Sequence, residues 1–347
     1  MKKDCLIPLL LCLSAVLSAH TPQDPEKTTQ DGTDEHISIR FDLRFDGAFI
    51  GYRNKPVETG FDGKYFNLAI DGNISEQFSY SLRQRLYKDN GIPTNFFKAT
   101  DWAYLTYHIT PQWNISAGKQ VVLIGGYEYD QAPIDVYFWS DFWNNVNPFQ
   151  IGVTAGYNSP DGHHAIKAQV TNSPFSTEVL DNCFSYNLIW YGNMGNFSTI
   201  YSYNAVEYKN NHFIHYLALG NRWAQNWFSW ELDYMNRASA QQANPLSDFS
   251  IISRMTFDLG PHTTLFIKGG WDQNKAQAAG TRWENTYDRY VLPGVQYAFY
   301  GGGIEFYPIE RLKKTLRLHA FLYSNNQSPQ PISCHVGVRW QMNVYKK

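Results

Sequence analysis

The amino-acid sequence predicts an all-β protein, a transmembrane antiparallel β-barrel of about 16 strands with a long loop folded into its lumen. Three observations support this fold class. Apolar and polar residues alternate along many short segments, and the connections between these segments alternate between short and long. Residues 121–150 interrupt the pattern with a stretch that is too long and too irregular for a tight turn.

The first alternating segment shows the pattern most clearly. From Ile37 to Asp46 the chain reads ISIRFDLRFD, with apolar residues at odd positions and polar residues at even positions. This alternation is typical of a strand with one apolar face. The polar face carries several charges, which a dry core would not accept without pairing. Lipid on one side and water on the other side of the strand explains both faces.

Similar segments recur along the chain, each close to the length of about 9–11 residues expected of a tilted membrane-spanning strand. We expect the strands to begin near His36, Asp62, Glu76, Lys98, Gln112, Ile151, His163, Cys183, Asn196, Asn211, Gln225, Asp248, His262, Val295, Thr315 and Ile332.

The connections between these segments are of two kinds. Tight turns rich in Gly, Pro and Asn are expected within 71–75, 110–111, 159–162, 192–195 and 260–261. Longer polar connections are expected over 52–61, 171–182, 237–247 and 272–294. Short turns on the periplasmic side and long loops on the outer side are typical of outer-membrane barrels. An even number of strands then places both termini in the periplasm.

The N-terminal residues have the pattern of an export signal. Lys2 and Lys3 precede an apolar run from Leu6 to Val16, and small residues follow up to Ala19. We therefore expect residues 1–19 to be a cleaved signal peptide. Residues 20–35 are polar and aperiodic, which predicts a flexible periplasmic leader. Residues 36–347 form the barrel, in the outer membrane of a Gram-negative bacterium.

Composition and motifs exclude several functional classes. The formal net charge is −2, which predicts no nucleic-acid partner. No motif indicates a catalytic site, a cofactor or a metal site, so we do not expect an enzyme. Two alternatives remain open at this point: an outer-membrane barrel enzyme that hydrolyses lipid, and a secreted β protein that binds carbohydrate through its aromatic residues, which make up 16% of the chain.

The charges suggest a pore. Residues 121–150 contain no Lys, Arg or His, and we expect their acidic side chains to form the pore constriction: Glu128, Asp130, Asp135 and Asp141. By alternation, eight basic residues face the lumen, mostly on one arc of the wall: Arg40, Arg44, Arg83, Arg85, Arg254, Lys268, Arg317 and Arg339. Acidic groups opposite a basic arc would set a transverse field that selects solutes by charge and dipole.

One stretch also carries a family resemblance. Gly118-Lys119-Gln120, followed by the aromatic and acidic residues 127–144, resembles the outer-membrane family of the phosphate-selective porins O and P. The resemblance extends from about His36 to the end. It implies a sixteen-stranded trimeric barrel in outer-membrane lipid, with the third external loop inside. It also implies passive diffusion of small hydrophilic solutes or ions, anions such as phosphate among them, without a cofactor.

Overall fold

The computed structural model describes residues 36–52, 55–86, 96–176, 181–239, 246–275, 290–309 and 315–346. The predicted signal peptide (1–19) and leader (20–35) lie outside the described residues.

The described residues form a closed antiparallel barrel, as predicted. Each strand pairs with its neighbours in sequence, and the last strand pairs with the first. Closure leaves no unpaired sheet edge among these strands, as a wall surrounded by lipid would require. The strands are β1 Ile37–Tyr52, β2 Lys55–Asn73, β3 Phe78–Arg85, β4 Thr100–His108, β5 Trp113–Val121, β6 Phe149–Asn158, β7 His164–Asn172, β8 Phe184–Met194, β9 Phe197–Lys209, β10 His212–Gln225, β11 Phe228–Ser239, β12 Asp248–Asp258, β13 Thr263–Asn274, β14 Gln296–Phe306, β15 Leu316–Asn325 and β16 Pro331–Lys346.

One predicted connection is wrong. Residues 52–61 were expected to form a longer polar join, but β1 and β2 continue as a hairpin, in which Tyr52 pairs with Lys55 and Ile50 with Glu58. The polar sequence of this hairpin gave no alternating pattern that would indicate strands. Its residues 55–61 are exposed, so the hairpin needs no apolar face. Val57 and Thr59 are β-branched residues, which favour extended backbone in such a hairpin.

The strand register places apolar and basic side chains on opposite faces of the wall. Leu318 pairs with Val338 and Arg317 pairs with Arg339 across β15 and β16. Leu318 is 43% exposed on the outer surface, whereas the two arginines are buried. The two faces therefore follow the predicted alternation.

A charge placed on the outer face should impair folding. We expect Leu318→Arg to destabilise the folded barrel by about 1–2 kcal/mol, because a guanidinium on the lipid face costs about 2–4 kcal/mol at mid-depth and less towards a strand end, and Leu318 pairs with Phe306, the last residue of β14. Urea titration of the protein folded in lipid vesicles measures the loss. Leu259→Arg is the control, since Leu259 is exposed in the turn between β12 and β13. Equal losses for the two variants would contradict the assignment of faces.

Within the stretch 121–150, residues 122–148 connect β5 to β6 and contain short helical turns: α1 Tyr127–Asp130, a 3-10 turn Pro133–Asp135 and α2 Asp141–Asn145. No helix in the described part of the chain is long and apolar enough to cross a membrane. Aromatic side chains of this segment pack against side chains of the wall. Tyr137 and Phe138 join a cluster with Phe266, Phe299 and Phe321. Burial of so many rings gives the segment a defined position.

Candidate pore constriction

The first part of segment 121–150 is hydrogen-bonded to polar side chains on β7 and β9. The backbone N–H of Leu123 donates to Gln169 Oε1 at 2.9 Å, and Asn204 Nδ2 donates to the Leu123 carbonyl at 2.6 Å. The N–H of Gly125 donates to Ser202 Oγ at 2.7 Å. These amide and hydroxyl groups belong to the face of the wall opposite the exposed apolar residues, which is the inner face.

Carboxylates of the wall receive the N-termini of both short helices. Asp233 on β11 accepts the backbone N–H groups of Tyr127 and Glu128, each at 2.8 Å. Asp272 on β13 accepts the N–H of Asp141 at 2.8 Å. A negative charge is favourable at this end of a helix, where N–H groups lack partners in the helix itself. Segment 121–150 therefore docks on two fixed acidic groups.

Glu128 joins two parts of the segment to the wall. Its Oε1 lies 2.6 Å from Lys268 Nζ on β13, and its carboxylate also accepts the N–H and the hydroxyl of Ser140. Glu128 and Lys268 are both buried. Removal of one partner would leave the other as an uncompensated buried charge.

Asp135 forms a second contact between the segment and the basic wall. Its Oδ1 lies 2.7 Å from Arg317 Nη2 and 3.4 Å from Arg339 Nε. Burial by itself would raise the pKa of the Asp135 carboxyl, but Arg317 and Arg339 outweigh it and lower the pKa below its usual value. Asp135 therefore remains ionised and neutralises part of the basic arc.

The other two predicted acidic residues have different described contacts. Asp130 lies near Lys167 of β7 and Tyr191 of β8, on a different part of the wall. Asp141 accepts a hydrogen bond from Asn145 Nδ2 at 3.2 Å. The sequence suggested four acids separated from the basic arc by a gap. The structure instead shows two acids in direct ion pairs with it, because the segment packs against the wall.

Asp130 should make docking of the segment depend on pH. Burial raises the pKa of Asp130 to about 6, although Lys167 and Tyr191 oppose the shift. A raised pKa means that the docked segment favours the protonated form of Asp130. Docking is therefore strongest below the usual Asp pKa and weakens as the pH rises towards 6. Current noise of wild-type channels should therefore increase from about pH 4 to pH 6 and then level off.

The Asp130→Asn variant should show a smaller rise in current noise over the same range, because its amide does not titrate while the other buried carboxyls that hold the segment remain. Asp161→Asn, which changes an exposed turn carboxylate, should keep the wild-type profile. A wild-type profile in Asp130→Asn would contradict the assignment to Asp130.

The eight predicted basic residues lie on strands β1, β3, β12, β13, β15 and β16, and each has the inward register. These strands belong to one continuous half of the barrel, from β12 through β16 to β3. Arg44 is paired with Asp46 at 2.6 Å and also donates to the carbonyls of Ile134 and Val136 at 3.2 and 2.9 Å. Arg44 thus supports segment 121–150 rather than facing water.

Arg83 and Arg85 share an acidic partner that the sequence did not reveal. The Nε atoms of the two arginines donate to opposite oxygens of Asp101, at 2.7 and 2.5 Å. The guanidinium carbon of Arg83 also lies 3.8 Å from the ring centroid of Trp102. Strict alternation would put Asp101 on the outer face, because Trp102 faces inward. A register shift opposite Arg83 and Gln84 turns Asp101 inward.

The two remaining basic residues differ in their surroundings. Arg40 pairs with Asp71 at 2.6 Å and with Asp42 at 3.7 Å. The Nε of Arg254 is buried without a hydrogen-bond partner among the described residues, and its guanidinium carbon lies 5.4 Å from the Phe266 ring centroid.

Sequence comparison supports the predicted resemblance. Residues 37–188 match the family described as phosphate-selective porin O and P. The match includes Gly118-Lys119-Gln120 and all of segment 121–150. No curated protein matches the chain in sequence.

Solved structures of outer-membrane proteins share the fold. The anion-selective porin from Comamonas acidovorans has a TM-score of 0.64 at 9% identity, over 89% of this chain and all of that chain. The outer-membrane channel DcaP of Acinetobacter baumannii has a TM-score of 0.60 at 12% identity, over 94% of this chain and all of that chain. OmpT of Vibrio cholerae, described in a trimer form, has a TM-score of 0.59 at 12% identity, over 90% and 100% of the two chains.

Proposed function

We propose that the protein is an outer-membrane porin, a passive diffusion channel for small hydrophilic solutes or ions, in which segment 121–150 narrows the lumen. The observation that carries this proposal is the closed barrel with an apolar outer face and a polar inner face, against which the segment is hydrogen-bonded. Such a barrel lets water and solutes pass through its interior while lipid surrounds its exterior.

The position of the segment suggests where solutes pass. Lys268, Arg317 and Arg339 are buried where they contact the segment, whereas the Arg85 side chain on β3 is 43% exposed. Arg40 and Asp71, on β1 and β2, also retain contact with water. The aqueous route therefore runs beside the exposed part of β1–β3, whereas segment 121–150 packs against β7–β16 and against Arg44 of β1.

This route presents basic groups to a passing solute. Arg83 and Arg85 share one carboxylate, Asp101, so the group of three has a net positive charge. Guanidinium groups suit oxyanions because their N–H donors match carboxylate and phosphate oxygens. Anions such as phosphate are therefore the solute class that these residues favour. The structural neighbour from Comamonas acidovorans is described as anion-selective.

The proposed surroundings follow from the same function. A cleaved signal peptide would deliver the chain to the periplasm of a Gram-negative bacterium, and the exposed apolar outer face would lie in outer-membrane lipid. A homotrimer is the proposed assembly, by analogy with OmpT of Vibrio cholerae, which is described in a trimer form. Passive diffusion requires no cofactor and no catalytic step.

Reconstitution tests the proposal. Protein purified from the outer membrane and added to a planar lipid bilayer should produce stepwise, ohmic currents. In a potassium chloride gradient, the reversal potential should have the sign of a channel that prefers chloride. A folded barrel that inserts into the bilayer without conducting would contradict the proposed function. Hydrolysis of phospholipid by the same preparation would contradict it as well.

A further inference from the structure

We propose that a socket on the inner face of β9–β11 holds segment 121–150 in place and so sets the aperture of the channel, with Asp233 as its positioning residue. The socket consists of Ile200 and Ser202 on β9, Gly220 on β10 and Asp233 on β11. This inference rests on the proposed function, in which segment 121–150 is the constriction.

Four consecutive backbone N–H groups enter the socket. Gly125 N–H donates to Ser202 Oγ at 2.7 Å, and Gly126 N–H donates to the Ile200 carbonyl at 3.2 Å. The next two N–H groups donate to the two oxygens of Asp233, each at 2.8 Å. Without these acceptors, buried N–H groups at the start of α1 would have no partner. The socket therefore recognises the backbone of the segment at four successive positions.

Glycine is required on both sides of this contact. Gly126 has a φ of 105°, a conformation that residues with a side chain rarely adopt. A methyl group added to Gly220 would lie 2.8 Å from the Gly126 Cα and 3.0 Å from Asp233 Oδ1. Both distances are shorter than van der Waals contact, so the segment would have to move away. The two backbones approach closely only because neither carries a side chain here.

Asp233→Asn tests the acceptor role. The amide retains one oxygen, but its NH2 group faces a backbone N–H, so one charge-assisted hydrogen bond is lost and two donors oppose each other. Segment 121–150 should leave the socket more often. It contains no Lys or Arg but many Tyr, Phe and Trp residues, so chymotrypsin rather than trypsin is the suitable probe. We expect cleavage within 121–150 to be about tenfold faster than in the wild type.

Three further variants separate positioning from charge. Glu231→Gln removes an acid from the same strand, where Glu231 lies 3.7 Å from Arg222, and it should behave as the wild type. Gly220→Ala changes no charge and should reproduce the rapid cleavage. Gly60→Ala is the control for that substitution, because a methyl group added there meets nothing within 4 Å.

Two readouts complete the test. Heat-dependent migration on gels shows that each variant has folded into a barrel, and bilayer recordings show whether the aperture fluctuates. Asp233→Asn and Gly220→Ala should show frequent brief changes in conductance that Glu231→Gln and Gly60→Ala lack. Wild-type cleavage rates and steady currents in both socket variants would overturn the proposal. A wild-type barrel that folds without conducting would refute the channel function, whereas the cleavage rates would still test the socket.

Discussion

Deletion of residues 127–143 should widen the channel and raise its single-channel conductance by about twofold or more, because in the proposed function these residues narrow the lumen. The barrel should still fold, since the deletion removes no strand. The ends of the segment are already joined by a 2.7 Å hydrogen bond from Val122 N–H to the Pro148 carbonyl. The shortened chain can therefore close between β5 and β6.

The same deletion should also increase anion preference. Lys268 would lose its partner Glu128, and Arg317 and Arg339 would lose Asp135. These basic side chains would then face water without a neutralising acid. The reversal potential in a salt gradient and the exclusion of large sugars by liposomes measure the two effects. The control replaces Asn326–Gln330, in the exposed connection between β15 and β16, with a two-residue Asn-Gly turn. Unchanged conductance and sugar exclusion after the deletion would contradict a constriction role.

The second large effect concerns the charges beside the aqueous route. Arg85→Gln should shift the reversal potential towards cations. A unit charge about 6 Å from a passing ion in water contributes about 0.7 kcal/mol, or about a threefold change in local ion concentration. Combining Arg85→Gln with Arg83→Gln should increase the shift, because Asp101 would then remain as an unpaired acid. Conductance should change less than after the deletion, since no backbone is removed.

Arg222→Gln provides a matched control. Arg222 lies on β10, and its side chain is 43% exposed, the same fraction as Arg85. A route beside β1–β3 predicts a smaller shift for Arg222→Gln than for Arg85→Gln. Asp101→Asn should move the reversal potential in the opposite direction, towards anions. Equal shifts from Arg85→Gln and Arg222→Gln would place the route elsewhere in the lumen.

Where the alternation is clear, the face of a side chain could be predicted from the sequence because it depends on local geometry alone. Successive side chains in a strand point to opposite faces, so the period-two pattern assigned Arg317 and Arg339 to the inside and Leu318 to the outside. Counting the same pattern predicted all the strands of the barrel. The stretch 121–150 was recognisable as a separate element because it lacks this alternation and contains acids without bases.

Only the tertiary structure decided which charges meet. Lys268 contacts Glu128 and Arg317 contacts Asp135 because barrel closure and the path of the segment bring together residues far apart in sequence. Asp101 turns inward through a register shift that depends on its partner strand, so no pattern within β4 reveals it. In the sequence, Asp233 cannot be distinguished from other acidic residues that face inward. Its role depends on Gly126 and Gly220, which allow the backbone of segment 121–150 to approach Asp233. A local pattern determines the face of a side chain, whereas its partners depend on the height and position of other strands around the barrel.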